Sequence, residues 1–447
     1  MPDGTDHAPV AGRRGDIYTR PAVTTKTPSS ETLLASPWAC LREHLERGPS
    51  VPAFLWEAPS GESIAGIGIA AQIVASGAGR FSEARDRIAA VLAEGFPGAI
   101  AIGGLGFSDA PSCGSGWPGF PGAWLAVPKR AWWSAPGGTM IEATWGDEAG
   151  AEPRGLGPAR DNSRSERRLE GDAGARTRES WSDAVRESLR GIASGQMSKV
   201  VLARCLDVTL SPRIRAPDIL DALRASHPSC YRFMVADGRG RAFLGASPER
   251  LIRLVGGEVR TEAVAGTVRR AQSRGDLADE DRERARALLE SPKERSEHEL
   301  VLRHIRDRLG AACGELDYPA EPQILALRHM LHLRTPVRGR ARDGAHVLDL
   351  AARLHPTPAV AGWPRDAALS AIGELEPMER GWYAGGVGWV NAAGEGDFAV
   401  GIRSVSLVGD RARLFAGAGI VAGSDPDLEW SETELKMRPI LDAIASA

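Results

Sequence analysis

Short strand-like runs and helical runs alternate along this chain from about residue 36 to its end, and tight Gly and Pro turns join several of the strands. Val200, Leu202, Leu206, Val208 and Leu210 alternate with smaller or polar residues, the period of a strand. Val301, Ile305 and Leu309 recur at helical spacing. Interleaving of this kind, without an internal repeat, indicates an α+β protein. Two stretches break the pattern. Residues 1–35 are rich in Pro, Thr, Ser and Gly and read as a disordered tail. Residues 146–178 are charged, glycine-rich and almost without large apolar side chains, which reads as a mobile linker or surface loop.

Composition narrows the function. The 447 residues are 43% hydrophobic and 25% charged, enough to bury a large core, and a formal charge of -3 argues against nucleic acid as the main partner. No apolar run approaches the roughly 18 residues of a membrane span, and the N-terminus lacks a secretory apolar core, so a cytoplasmic protein is expected. Cys40, Cys113, Cys205, Cys230 and Cys313 are odd in number and scattered, which suggests neither a disulfide framework nor a zinc site.

The last helical stretch holds the first chemical signal. Glu429, Glu432 and Lys436 share one stripe, and Trp430, Thr433, Met437, Ile440, Leu441 and Ile444 form an apolar stripe about a quarter turn away. The acidic stripe therefore borders the buried face. Further up the chain, Ser291, Pro292 and Glu294 make a helix start of the capping-box type. Glu297 lies on the apolar side of that helix with Val301, Ile305 and Leu309, where an unpaired carboxylate would cost several kcal/mol or take up a proton. It needs a cation. If the glutamates of the two helices meet, they repel by ~4 kcal/mol at 4 Å and an effective dielectric of 20. A divalent cation, with all-oxygen ligation suiting Mg²⁺, would remove the conflict, and so would pairing with arginines; spacing leaves both open. Lys199 stands at a strand start and Glu249 at a turn between two apolar runs, positions that are more often structural than catalytic.

The motifs GASPERL, AVAGTVRR, KERSEH, LHPTPAVAG, WYAGGVGW, VGIRSV, AGAGIVAGSDP and EWSETELK occur in the order and spacing of the chorismate-utilising enzymes, the family of isochorismate, anthranilate, aminodeoxychorismate and salicylate synthases. The chain most closely resembles the isochorismate synthase branch, over roughly residues 180–447. The resemblance implies an antiparallel β-sandwich core surrounded by helices, with residues 36–145 the variable N-terminal part of the same globular unit, 179–447 the chorismate-binding catalytic region, and a monomer.

Carried over residue by residue, the resemblance makes Glu297 and Glu432 direct Mg²⁺ ligands, with Glu294 and Glu429 behind them acting through metal-bound water. Lys436 would stand near the ring carboxylate of chorismate. Arg403 and Tyr383 resemble the clamp for the enolpyruvyl carboxylate, helped by the amides of Gly417 and Gly419, and Gly266 and Thr267 fall at substrate-site positions. His332 and His355 fall in or beside motifs as positioning or core residues. Lys199 would activate water for attack at C2 and Glu249 protonate the departing C4 hydroxyl. The lysine would then be neutral, helped by burial or nearby positive charge, and the glutamate protonated. Ala359, where salicylate synthases carry threonine, favours an isomerase that stops at isochorismate. Salicylate formation, amination, and a chorismate binder without catalysis are the alternatives. The product would feed siderophore, menaquinone or antibiotic biosynthesis.

Overall fold

The computed structural model describes residues 23–26, 36–47, 51–95, 98–109, 117–136, 140–145, 177–211, 214–271 and 279–447. The linker expected at 146–178 therefore lies outside the described residues except at its end, where Thr177 caps the helix Arg178–Ala193. Most of the expected tail also lies outside. Val23–Lys26, however, forms a strand paired antiparallel with Ile141–Trp145, and its β-branched Val and Thr residues suit a pleated edge.

The strands build two antiparallel sheets, one of eleven strands and one of ten among the described residues. The centre of the larger sheet runs Pro52–Glu57, Tyr231–Asp237, Arg241–Ser247, Ser404–Val408, Arg411–Ile420, Lys199–Thr209. The smaller has Met330–Ala341, Glu258–Arg269, Arg250–Val255, Gly396–Val400, Gly386–Asn391 and Ile100–Leu105 in order. Strands from before and after residues 146–176 thus pair directly: Pro52–Glu57 with Tyr231–Asp237, and Ile100–Leu105 with Gly386–Asn391.

The sheets face each other across an apolar interior. Trp56 of the larger sheet meets Trp389 of the smaller edge-on at 6.3 Å between ring centres, and Phe54 meets Trp124 at 5.8 Å. A second core lies on the outer side of the larger sheet, where Trp38, Ile219, Leu220, Leu223, Met437 and Ile440 bring three helices onto it. With both its faces covered, the strand Lys199–Thr209 is buried at seven successive positions, on alternating sides of the sheet.

Two helix details position the site. Ser291 caps the helix Pro292–Leu309 by accepting from the Glu294 amide at 3.4 Å, as the capping-box spacing predicts, but the box is not reciprocal. The Glu294 carboxylate instead accepts from the Thr267 amide at 3.1 Å, so this side chain tethers the helix to the neighbouring strand. The C-terminal helix Pro426–Ser446 is capped by Asp425, whose carboxylate accepts from the amides of Asp427 and Leu428. It buries Glu429, Thr433, Met437, Ile440 and Ala443. Among the described residues no helix is long and apolar enough to cross a membrane. Cys40, Cys205, Cys230 and Cys313 are free thiols, and Cys113 lies outside the described residues.

Candidate active site

The strand Lys199–Thr209 opens with a lysine that is 1% exposed, so Lys199 is no solvated strand end. Its Nζ donates to Glu297 Oε1 at 2.7 Å. This contact supplies the cation that the apolar setting of Glu297 demands, and it is a lysine, neither an arginine nor a neighbour in sequence. Burial pushes Glu297 up, but the adjacent ammonium outweighs it and holds the carboxyl below its ordinary value. Of the two features expected around Lys199, burial or a nearby positive charge, burial is present, and its closest charged partner is a carboxylate. Space for this pair exists because residue 419 is glycine; a Cβ there would meet Glu297 Oε1 and Lys199 Cε at 3.0 Å.

The C-terminal helix repeats the motif. Lys436 Nζ donates to Glu432 Oε1 at 2.6 Å, one turn away, and to the Gly417 carbonyl at 2.9 Å. Gly417 thereby offers its carbonyl to the protein, and a Cβ on it would approach the Tyr383 hydroxyl to 3.2 Å. Glu429 is pushed up to about 7 by burial and by Glu432, and Glu294 is raised by burial and by Glu297. Each acidic pair thus carries one carboxyl that resists ionisation, first because it is buried and then because of the other.

Arg403 sits in the left-handed region at φ 52°, a conformation costly for a residue with a Cβ and concentrated at functional sites. Its guanidinium donates to the Lys436 carbonyl at 3.3 Å and contacts Met330 Sδ at 3.8 Å. Among the described residues no carboxylate pairs with it, and burial lowers its pKa. A buried guanidinium without a counter-ion is a place for an anion. Tyr383, raised to about 12 by burial, stacks on Phe415 at 5.1 Å beside it.

Glu249 follows the strand Arg241–Ser247 and is 4% exposed. Burial, then the charge of Glu262, pushes its pKa up to about 8, against the opposing pull of Lys199, Lys436 and Arg403. Gly266, at φ 75°, sits where the register of its strand against Met330–Ala341 shifts by a residue, and the bulge turns Thr267 toward Glu294.

One cavity brings all of these together. Its walls include Lys199, Glu249, Gly266, Thr267, Glu294, Glu297, Ala359, Tyr383, Arg403, Gly417, Gly419, Glu429, Glu432 and Lys436, every site residue expected from the sequence. His332 also lines it. Its Nδ1 lies 3.1 Å from both Thr267 Oγ1 and the Gly266 carbonyl, and its Nε2 has no hydrogen-bond partner. The cross-strand register of His332 with Thr267 puts it there, a relation that spacing along the chain does not display. His355 is elsewhere, its Nε2 bonded to the Phe107 carbonyl at 3.0 Å. Sequence reasoning missed Lys293, an exposed cation on the cavity wall.

The donor set suits a hard cation: four glutamates and neither thiolate nor, at the acidic wall, imidazole. Among the described residues no three of them converge ready to ligate, and Glu297 and Glu432 each hold a lysine instead. Mg²⁺ needs no complete protein cage, since it keeps several waters and takes one or two carboxylates, so the residues fit it.

This fold and this wall of paired carboxylates and lysines define a class: the chain belongs to the chorismate binding enzyme family, whose model matches residues 24–445. It is 42% identical over 278 residues to the salicylate biosynthesis isochorismate synthase of Pseudomonas aeruginosa, covering 62% of this chain and 57% of that protein. It is 34% identical over 357 residues to isochorismate synthase MenF of Bacillus subtilis, covering 78% of this chain and 75% of the relative. The structure of the menaquinone-specific isochorismate synthase MenF of Escherichia coli superposes with a TM-score of 0.76 at 26% identity, over 96% of each chain. Anthranilate synthase component I of Streptococcus pneumoniae, at 21% identity and a TM-score of 0.64, shares the fold.

Proposed function

We propose that the chain is a Mg²⁺-dependent isochorismate synthase, converting chorismate to isochorismate. One observation carries the reading: a buried amine, Lys199, and a buried carboxyl that keeps its proton to about pH 8, Glu249, line the same cavity as four glutamates and the unpaired Arg403. A protein that merely held an anion would need the arginine but not the acid and base.

Chorismate is a dianion. Arg403 and Tyr383 hold its enolpyruvyl carboxylate, and Lys436 stands by the ring carboxylate at the acidic wall. Glu297 and Glu432 would ligate Mg²⁺, with Glu294 and Glu429 behind them; when bound, the ion supplies the charge that lets the ring carboxylate rest against glutamates. Lys199, once its contact with Glu297 is given up and its extra proton has passed to solvent, is a neutral amine and accepts a proton from water as the water oxygen bonds to C2. The ring double bonds shift, the C4–O bond breaks, and Glu249 gives its proton to the departing hydroxyl, which leaves as water. One water enters and one leaves. Ala359 offers a methyl group to the cavity and no hydroxyl, consistent with a reaction that ends at isochorismate. The test is purified protein with chorismate and Mg²⁺, products separated by chromatography: isochorismate is expected, whereas salicylate, an aminated product or unchanged chorismate would overturn the reading.

A further inference from the structure

Glu249 is presented by a backbone that an ordinary ladder does not hold. The strand Arg250–Val255 pairs with Glu258–Arg269 through Arg253↔Arg260, Leu254↔Val259 and Val255↔Glu258. On its other side, its register against Gly396–Val400 breaks between Arg250 and Ile252. At this irregular start, side chains take over from backbone. Thr261 Oγ1 donates to the Leu251 carbonyl at 2.8 Å, and Glu262 Oε1 accepts from the Arg250 amide at 3.0 Å. The Glu249 carbonyl accepts from the Val400 amide at 3.0 Å, and the Glu249 amide donates to Ser247 Oγ at 3.3 Å. The peptide that carries the acid is thus fixed on each side, and Glu262 supplies the contact C-terminal to it.

Glu262 is itself 6% exposed and is not among the cavity walls. Its second oxygen, Oε2, accepts from Arg334 Nε on the adjacent strand at 2.5 Å. Two buried acids that act on each other electrostatically are unfavourable for both unless one keeps its proton. With Arg334 and the Arg250 amide satisfying both oxygens of Glu262, Glu249 is the partner left to hold the proton.

We infer that Glu262 is a positioning residue for Glu249: it clamps the peptide that presents this carboxyl and places a fixed negative charge beside it. The inference rests on the proposed acid role of Glu249. Burial acts most strongly on Glu249, and the leading charged groups are Glu262 from the strand Glu258–Arg269, Lys199 from its own strand, Lys436 from the C-terminal helix, and Arg403. Of these only Glu262 favours the protonated form.

Carboxyl-¹³C glutamate labelling tests the idea, with Glu249→Gln identifying the Glu249 resonance by its loss. Glu262→Gln keeps an acceptor for the Arg250 amide but removes the charge. Its Glu249 titration midpoint should fall from near 8 by roughly one pH unit or more. At pH 8 its kcat should then drop roughly fivefold or more while KM stays within about twofold. Glu262→Asp keeps the charge and shortens the clamp, so the midpoint should stay near the parent value, a restoration that a purely structural role would not give. Arg334→Gln removes the cation that offsets Glu262 and should move the midpoint upward; it serves alone if the Glu262 variants do not fold. A Glu249 midpoint unchanged in Glu262→Gln, or lowered in Arg334→Gln, overturns the inference. The titration is read without substrate, so it succeeds or fails independently of whether the chain turns over chorismate.

Discussion

At the scale of residues, Lys199 and Glu297 show what a sequence can and cannot say. That Glu297 needs a cation was legible from its place on the apolar side of a helix. Which cation was not, because Lys199 lies 98 positions away and only the sandwich brings them to 2.7 Å. Lys199 is predicted to be the base, so Lys199→Ala should lower kcat by roughly 10²- to 10⁴-fold with little change in KM. A large rise in KM at unchanged kcat would make it a binding group. Glu249→Gln keeps the size of the side chain but cannot donate a carboxylic proton. It should disable the same step, and the double variant should be scarcely worse than either single one. Steady-state kinetics on the four proteins decides both points. The raised pKa of Glu249 had a sequence counterpart only through family resemblance; Glu262, which contributes to it, had none, since it acts across strands.

At the scale of elements, the helix Pro292–Leu309 was legible from period and cap and the helix Pro426–Ser446 from period alone, and both carry acids bordering a buried face. The reciprocal capping box was not formed, because the Thr267 amide competes for the Glu294 carboxylate. Strand alternation was a weaker guide: Lys199–Thr209 is covered on both faces, so inward and outward positions are alike in burial. The tail held a strand, Val23–Lys26, because pairing with Ile141–Trp145 is invisible to local composition. If the two helices supply the ligands, Glu297→Ala or Glu432→Ala should abolish Mg²⁺ binding in calorimetry and turnover alike, since one carboxylate holds the ion poorly against hydration. Full activity of the parent in excess chelator would contradict this.

At the scale of the whole molecule, burial sets the response to pH. Burial holds His332 and His355 down to about 3, helped by nearby Arg403 and Arg80, and holds His227 near 4, helped by Arg328. Below the ordinary value of about 6.5, the unfolded chain takes up protons that the folded chain refuses. The stability contributed by these neutral imidazoles is therefore lost as pH falls through 6.5 toward 4. His355→Gln can still donate to the Phe107 carbonyl and removes one such group, so its unfolding free energy should fall less steeply than that of the parent between pH 6.5 and 4 in denaturant titrations; an equal slope would contradict the assignment. Turnover in H₂¹⁸O with Mg²⁺ tests whether water adds at C2 while the C4 hydroxyl departs. Isochorismate should carry one solvent-derived oxygen, located on C2 by mass spectrometry; isochorismate that retains only the oxygens of the starting chorismate would rule this mechanism out.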